Sequence, residues 1–213
     1  FGPQDGTSPN ETSGTSVITG NTITGTTRGA IGIDVGGAST STNKFNLGFT
    51  ITGNTISAAA GDGISIAADN ARNNAQAAWI NGGNITATIS GNSVSLPNAD
   101  PTNRDTAIVY TSEQGAYTAN LSLQNNKLTV GPNGSNAISI NLKTNNTTGA
   151  TNEANVTATI QGNSLTSSST NAQIINLSNS QYTLTPPGYL GVYNVGSLTT
   201  LNTGFSSVSQ TGV

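Results

Sequence analysis

One six-residue phrase recurs five times along the chain, as Ile18-Thr19-Gly20-Asn21-Thr22-Ile23, Ile51-Thr52-Gly53-Asn54-Thr55-Ile56, Ile89-Ser90-Gly91-Asn92-Ser93-Val94, Leu123-Gln124-Asn125-Asn126-Lys127-Leu128 and Ile160-Gln161-Gly162-Asn163-Ser164-Leu165. Successive asparagines are 33, 38, 34 and 37 residues apart. A fixed period of this size marks a chain that coils repeatedly, with each coil burying its apolar face on its neighbours. Helical repeats of similar length are excluded, because Thr, Ser, Gly and Asn disfavour helix throughout these segments.

Counting outward from each asparagine predicts the strands. Apolar residues lie three, five and seven positions before it, at Ile51, Phe49 and Leu47, at Ile89, Ala87 and Ile85, at Leu123, Leu121 and Ala119, and at Ile160, Ala158 and Val156. This alternation is that of a half-buried strand. Two residues after the asparagine comes Ile23, Ile56, Val94, Leu128 or Leu165, marking a short second strand. A third follows with the pairs Ile31/Ile33, Ile64/Ile66, Ile108/Tyr110, Ile138/Ile140 and Ile175/Leu177. A propeller blade would need four strands per repeat. The reading is an all-β, right-handed parallel β-helix (β-solenoid) of about five coils, each of ~35 residues and three strands.

Turning between the first two strands needs positive φ, which Gly adopts freely and Asn better than most residues. Stacked coils then set the side chains of Asn21, Asn54, Asn92, Asn126 and Asn163 about 4.8 Å apart, where amides can bond in a ladder. Residues 1–14, with Pro3 and Pro9, show no apolar period and read as a linker or lead-in to a solenoid over 15–180. In 181–213 the corner motif stops and Pro186-Pro187-Gly188 interrupts any strand, so this segment reads as a cap or as an irregular last coil.

Charged residues are 7% of the 213, against an average of about 25%, and the net charge is −3. The basic residues Arg28, Lys44, Arg72, Arg104, Lys127 and Lys143 are scattered, so no cluster exists to neutralise nucleic-acid phosphates. Periodic Ile and Val argue against disorder. There is no Cys and no long apolar run, hence no disulfide framework and no membrane-spanning helix in this segment. A start at Phe1 without a signal sequence is expected of a segment from a longer precursor. Lack of Cys with a low-charge Thr/Asn surface fits export from a bacterial cell.

With neither His nor Cys, triad hydrolysis and the usual zinc sites are excluded. No cofactor motif is present. The remaining chemistry is that of carboxylates: Asp62 and Asp105 stand at the entrance of the third strand in adjacent coils, within about 5–7 Å if the coils stack in register. Arg104 and Asp100 share that loop. Asp at such turns commonly caps backbone N–H groups, so catalysis or calcium binding by Asp62 and Asp105 is an alternative and not the main reading. Gly61-Asp62-Gly63 is a single copy of a glycine-aspartate phrase whose calcium-binding form requires repetition.

The I-x-G-N-x-[ILV] corner with long polar loops resembles right-handed parallel β-helix proteins, which include pectin-degrading enzymes, phage tailspikes and passenger domains of bacterial autotransporters. The composition is most similar to the autotransporter passengers and related surface adhesins. This resemblance covers residues 15 to 180 and implies a secreted or surface-displayed stalk or adhesin that attaches to a glycan or surface protein of another cell or matrix, or to itself. It also implies, as the alternative, a carbohydrate-active lyase or hydrolase using Asp62 and Asp105.

Outward residues of the first strand form a candidate binding face: Thr50 and Thr52, Thr86 and Thr88, Ser122 and Gln124, Thr157 and Thr159 are expected to stack as two hydroxyl-rich rows. Such rows resemble the Thr arrays of ice-binding solenoids, although Thr is also a good exposed strand residue and the fourth coil interrupts the array. Trp79 is expected to anchor a loop, and sequons such as Asn84-Ile85-Thr86 arise by chance in this composition.

Overall fold

The computed structural model describes residues 12–26, 29–35, 45–57, 60–68, 83–97, 105–112, 118–132, 136–143, 154–168, 174–180, 189–194, 197–198, 202–205, 207–211 and 213. Every named element is a strand. The first coil is β1 (Thr12–Thr19), β2 (Thr22–Thr24) and β3 (Ile31–Asp34); the second is β4 (Phe45–Thr52), β5 (Thr55–Ser57) and β6 (Ile64–Ala68). The third comprises β7 (Gly83–Ser90), β8 (Ser93–Leu96) and β9 (Ile108–Ser112), and the fourth β10 (Thr118–Gln124), β11 (Lys127–Val130) and β12 (Ile138–Leu142). The fifth is β13 (Asn155–Gln161), β14 (Ser164–Ser167) and β15 (Ile174–Asn179), followed by β16 (Tyr189–Val192) and β17 (Ser207–Thr211).

Each strand pairs with its counterpart one coil away, in parallel. Three sheets result: the long sheet β1-β4-β7-β10-β13-β16, the corner sheet β14-β11-β8-β5-β2, and the third sheet β17-β15-β12-β9-β6-β3. The chain is thus a parallel β-helix, as its repeat predicts.

Register in the long and corner sheets follows the asparagine corner, and in the third sheet the buried isoleucines. Ile51, Ile89, Leu123 and Ile160 align across the long sheet, all buried. Ile56, Val94, Leu128 and Leu165 align on the corner sheet, and Ile64, Ile108, Ile138 and Ile175 on the third. These stacks converge into one apolar column. Its end layers are less covered: Ile18, Ile23 and Ala30 in the first coil and Val192, Leu198 and Val208 in the last are only partly buried.

One boundary differs from the sequence reading, and at the other end the chain follows the irregular-last-coil alternative. β1 begins at Thr12, inside the 1–14 lead-in, because Thr12 pairs with Phe45 although Gly14 and Ser16, at the inward-facing positions, hide the alternation. Beyond Ser180 the chain adds a sixth, partial coil. β16 pairs with β13, Thr203 bridges to Ser164, and β17 pairs with β15. Leu190 and Phe205 are buried in this last layer. Asn194 ends the long sheet: its Oδ1 accepts the Ile160 N–H at 3.0 Å and its Nδ2 donates to the Ile160 carbonyl at 2.7 Å, replacing a peptide group.

Candidate functional site

The asparagine corner is a structural spine. Gly20, Gly53, Gly91 and Gly162 hold φ between +64 and +69°, and Asn125 takes the same conformation at +55°. After the turn the side chains of Asn54, Asn92, Asn126 and Asn163 are buried. In the third coil, Asn92 Oδ1 accepts both the Asn54 N–H and an Asn54 Nδ2 hydrogen at 3.0 Å. Asn92 Nδ2 donates to the Ile51 carbonyl at 2.8 Å and to Asn126 Oδ1 at 3.0 Å. The amide therefore makes four hydrogen bonds, which is its full capacity.

The ladder runs one residue further than the motif predicts. Asn202 Oδ1 accepts the Asn163 N–H at 3.0 Å and Nδ2 at 2.8 Å, and Asn202 is buried. In the sequence Asn202 follows Leu201 and not a glycine; the only signal was a spacing of 39 residues from Asn163. With every internal amide saturated, this spine has nothing left to offer a ligand.

The outward face of the long sheet is different. Register sorts its side chains by distance from the corner, and the residues expected in two rows fall into three. Thr52 aligns with Ser90 and Gln124. Val17, Thr50, Thr88, Ser122 and Thr159 form the second row. Thr15, Gly48, Thr86, Asn120, Thr157 and Gly191 form the third. Thr86 thus sits beside Gly48 and not beside Thr50, because the glycine-asparagine turn, and not the first Thr of each strand, sets the register. No row is threonine throughout.

A fourth row runs Ser13, Asn46, Asn84, Thr118, Asn155 and Tyr189. None of the outward residues in these rows is charged. A shallow trough of about 660 Å³ lies across the first four strands of this face, lined by Thr15, Asn46, Gly48, Thr86, Thr88 and Asn120 among others. Gly48 sets its low point: a Cβ there would lie 2.9 Å from Thr15 Oγ1.

Tyr189, at the start of β16, and Tyr193, just past its end, close the same face, and nothing in the repeat marks them as a site. Tyr189 leans over Gly191, whose missing Cβ would lie 2.5 Å from the phenol oxygen, and the two hydroxyls hydrogen-bond at 2.7 Å. Both rings stay exposed, at 46% and 60%. The bond to Tyr193 raises the pKa of the Tyr189 phenol above 10.0, with smaller upward contributions from desolvation and from the neighbouring phenol's charge.

Asp62 and Asp105 do come from adjacent coils, next to aligned Ile64 and Ile108. Asp62 Oδ1 accepts the Thr106 N–H at 2.8 Å, and Asp105 is buried. Burial raises the Asp62 pKa, the Thr106 bond opposes this, and the charge of Asp105 adds to the rise. The flanking glycines have structural reasons: Gly61 has φ +86°, and a Cβ on Gly63 would collide with Val94 and the Ala107 carbonyl. Among the described residues, no three acidic, His or Cys side chains converge as a metal site. Arg104, Asp100 and Trp79 lie outside the described residues.

The fold and its faces define a class, a parallel β-helix with a buried asparagine ladder and one broad uncharged sheet face. Comparison with family models, with curated proteins and with solved structures gave no match, so function is argued from this geometry alone.

Proposed function

We propose that this β-helix is a non-catalytic stalk or adhesin, secreted or displayed on a cell surface in the manner of an autotransporter passenger, and that it attaches through the outward face of its long sheet to a glycan or surface protein of another cell or matrix. The observation that carries this reading is that face itself: polar, uncharged, dished, and the location of Val17, Tyr189 and Tyr193, three of the large apolar side chains left exposed. Tyr189 and Tyr193 are in contact and form an exposed aromatic patch rimmed by polar residues, the kind of patch that marks an interaction surface. A rigid solenoid adds reach, and arrays of such molecules add avidity to weak contacts.

Hydrogen bonding by an uncharged face implies attachment that persists as salt rises, since at about 1 M the screening length is only ~3 Å. The test is retention of the protein on immobilised polysaccharides and on cell or matrix surfaces between low salt and about 1 M, with release of sugar products monitored with and without calcium. Attachment lost with rising salt refutes the reading. The carbohydrate-active alternative is favoured by one observation, the placement of Asp62 and Asp105 on adjacent coils beside the aligned Ile64 and Ile108. Product release that disappears in an Asp62→Asn, Asp105→Asn variant establishes it and displaces the adhesin reading.

A further inference from the structure

Four exposed large hydrophobic side chains are found among the described residues, Val17, Tyr189, Tyr193 and Val213, and three of them belong to one face. The two tyrosines are not scattered: Gly191 lets the Tyr189 ring lie down, and the hydroxyl pair locks the rings into an arch over β16. An exposed aromatic pair held in one conformation loses little entropy when a ligand covers it. From this arch the row Gly191, Thr157, Asn120, Thr86 and Gly48 leads back into the trough. Four strand spacings separate Gly191 from Gly48, about 19 Å. Between the two glycines the row carries hydroxyl and amide groups; Thr157 Oγ1 already donates to Asn120 Oδ1 at 2.6 Å.

Resting on the adhesin reading above, we propose that the Tyr189–Tyr193 arch and the trough at Gly48 are two ends of one binding track for a neutral oligosaccharide, laid along the solenoid axis. The arch supplies two exposed phenol rings with their hydroxyl pair between them, and such rings stack on the C–H face of a sugar. Thr86, Asn120 and Thr157 supply donors and acceptors that can pair with sugar hydroxyls. Charge selects the class: the described outward residues of this face include no cation to balance a uronate, sulfate or phosphate, so desolvating an anionic sugar on them would go uncompensated. A peptide ligand is disfavoured because the strands of this sheet, apart from the outermost, have their backbone groups paired within it.

The experiment is a titration of the isotope-labelled chain with linear neutral hexasaccharides (β-1,4-glucan, α-1,4-glucan and β-1,4-mannan) and with oligogalacturonate as the charged counterpart, read by amide chemical shifts. At least one neutral probe is expected to shift Thr86, Asn120, Thr157 and Gly191, with oligogalacturonate inert. Tyr189→Ala and Tyr193→Ala, both at exposed positions, are each expected to weaken that binding about tenfold. Thr24→Ala, exposed on the corner sheet, leaves it unchanged. Gly191→Ala, which displaces the Tyr189 ring while keeping both phenols, is expected to weaken binding as well.

Shifts confined to another face, or affinity indifferent to the tyrosine variants, overturn the track while leaving the adhesin reading in place. Preference for oligogalacturonate overturns the ligand class, as does failure of every neutral probe for a protein that still attaches to cell or matrix surfaces. Failure of both binding and attachment removes the adhesin reading together with the track.

Discussion

Replacing Asn126 by Ala tests the spine in the middle of its run. The wild-type side chain is buried and makes four hydrogen bonds: Oδ1 accepts the Asn92 N–H at 3.1 Å and Nδ2 at 3.0 Å, while Nδ2 donates to the Ile89 carbonyl and to Asn163 Oδ1, each at 2.9 Å. Alanine strands two buried donors on Asn92. At about 1–3 kcal/mol for each unsatisfied group, the expected loss is ~2–6 kcal/mol, and the vacated space adds to it. This is a large part of the roughly 5–15 kcal/mol that holds a typical domain folded. Asn21→Ala is the control. Asn21 is exposed at the first coil, its Nδ2 donates to Asn54 Oδ1 and to the Thr19 carbonyl, and Asn54 Oδ1 keeps the bond from the Asn21 N–H after truncation. No buried donor is stranded, so the expected cost is below about 1 kcal/mol. Urea unfolding followed by circular dichroism measures both, with the slope checked for constancy because solenoids can unfold in parts. If the two variants lose the same stability within about 0.5 kcal/mol, buried-donor satisfaction is not what the ladder contributes.

Gly162→Ala places a Cβ against the Asn125 side chain at a φ of +69° and is expected to cost at least ~1–2 kcal/mol, part of which Asn125→Gly restores in the double variant; a thermal-unfolding double-mutant cycle reads the coupling. Ile138→Ala, in the middle of the third-sheet stack, should lower stability by about 2–5 kcal/mol in the same urea assay. Because the Asp62 pKa is raised, the stability its protonated form contributes is complete below pH 3.8 and is lost as pH rises through the higher folded value. Asp62→Asn keeps an oxygen for the Thr106 N–H and removes that loss. The variant should exceed the wild type in stability at pH 7, with the gap closing below pH 3.8; a gap that widens in acid contradicts the assignment. Absorbance titration should show the Tyr189 phenol ionising above its ordinary range, and moving back towards that range in Tyr193→Phe, which removes the hydrogen bond.

The repeated phrase alone determined the coil, its three strands and its inward residues, because apolar alternation and positive-φ corners are local properties that act over a few residues. It also determined the asparagine ladder from Asn21 to Asn163, since one side chain repeated at one corner must stack. Stacking decided the rest. Which Thr lies beside which depends on register, and register is fixed by the corner and the buried Ile columns, so rows read by strand order were displaced by two residues at Thr86 and Thr88. Asn202 entered the ladder without a corner motif because Asn163 presents it with two donors that need an acceptor. The tyrosine arch exists only because the sixth coil pairs with the fifth and Gly191 leaves room beneath a ring, two conditions that no short stretch of sequence contains.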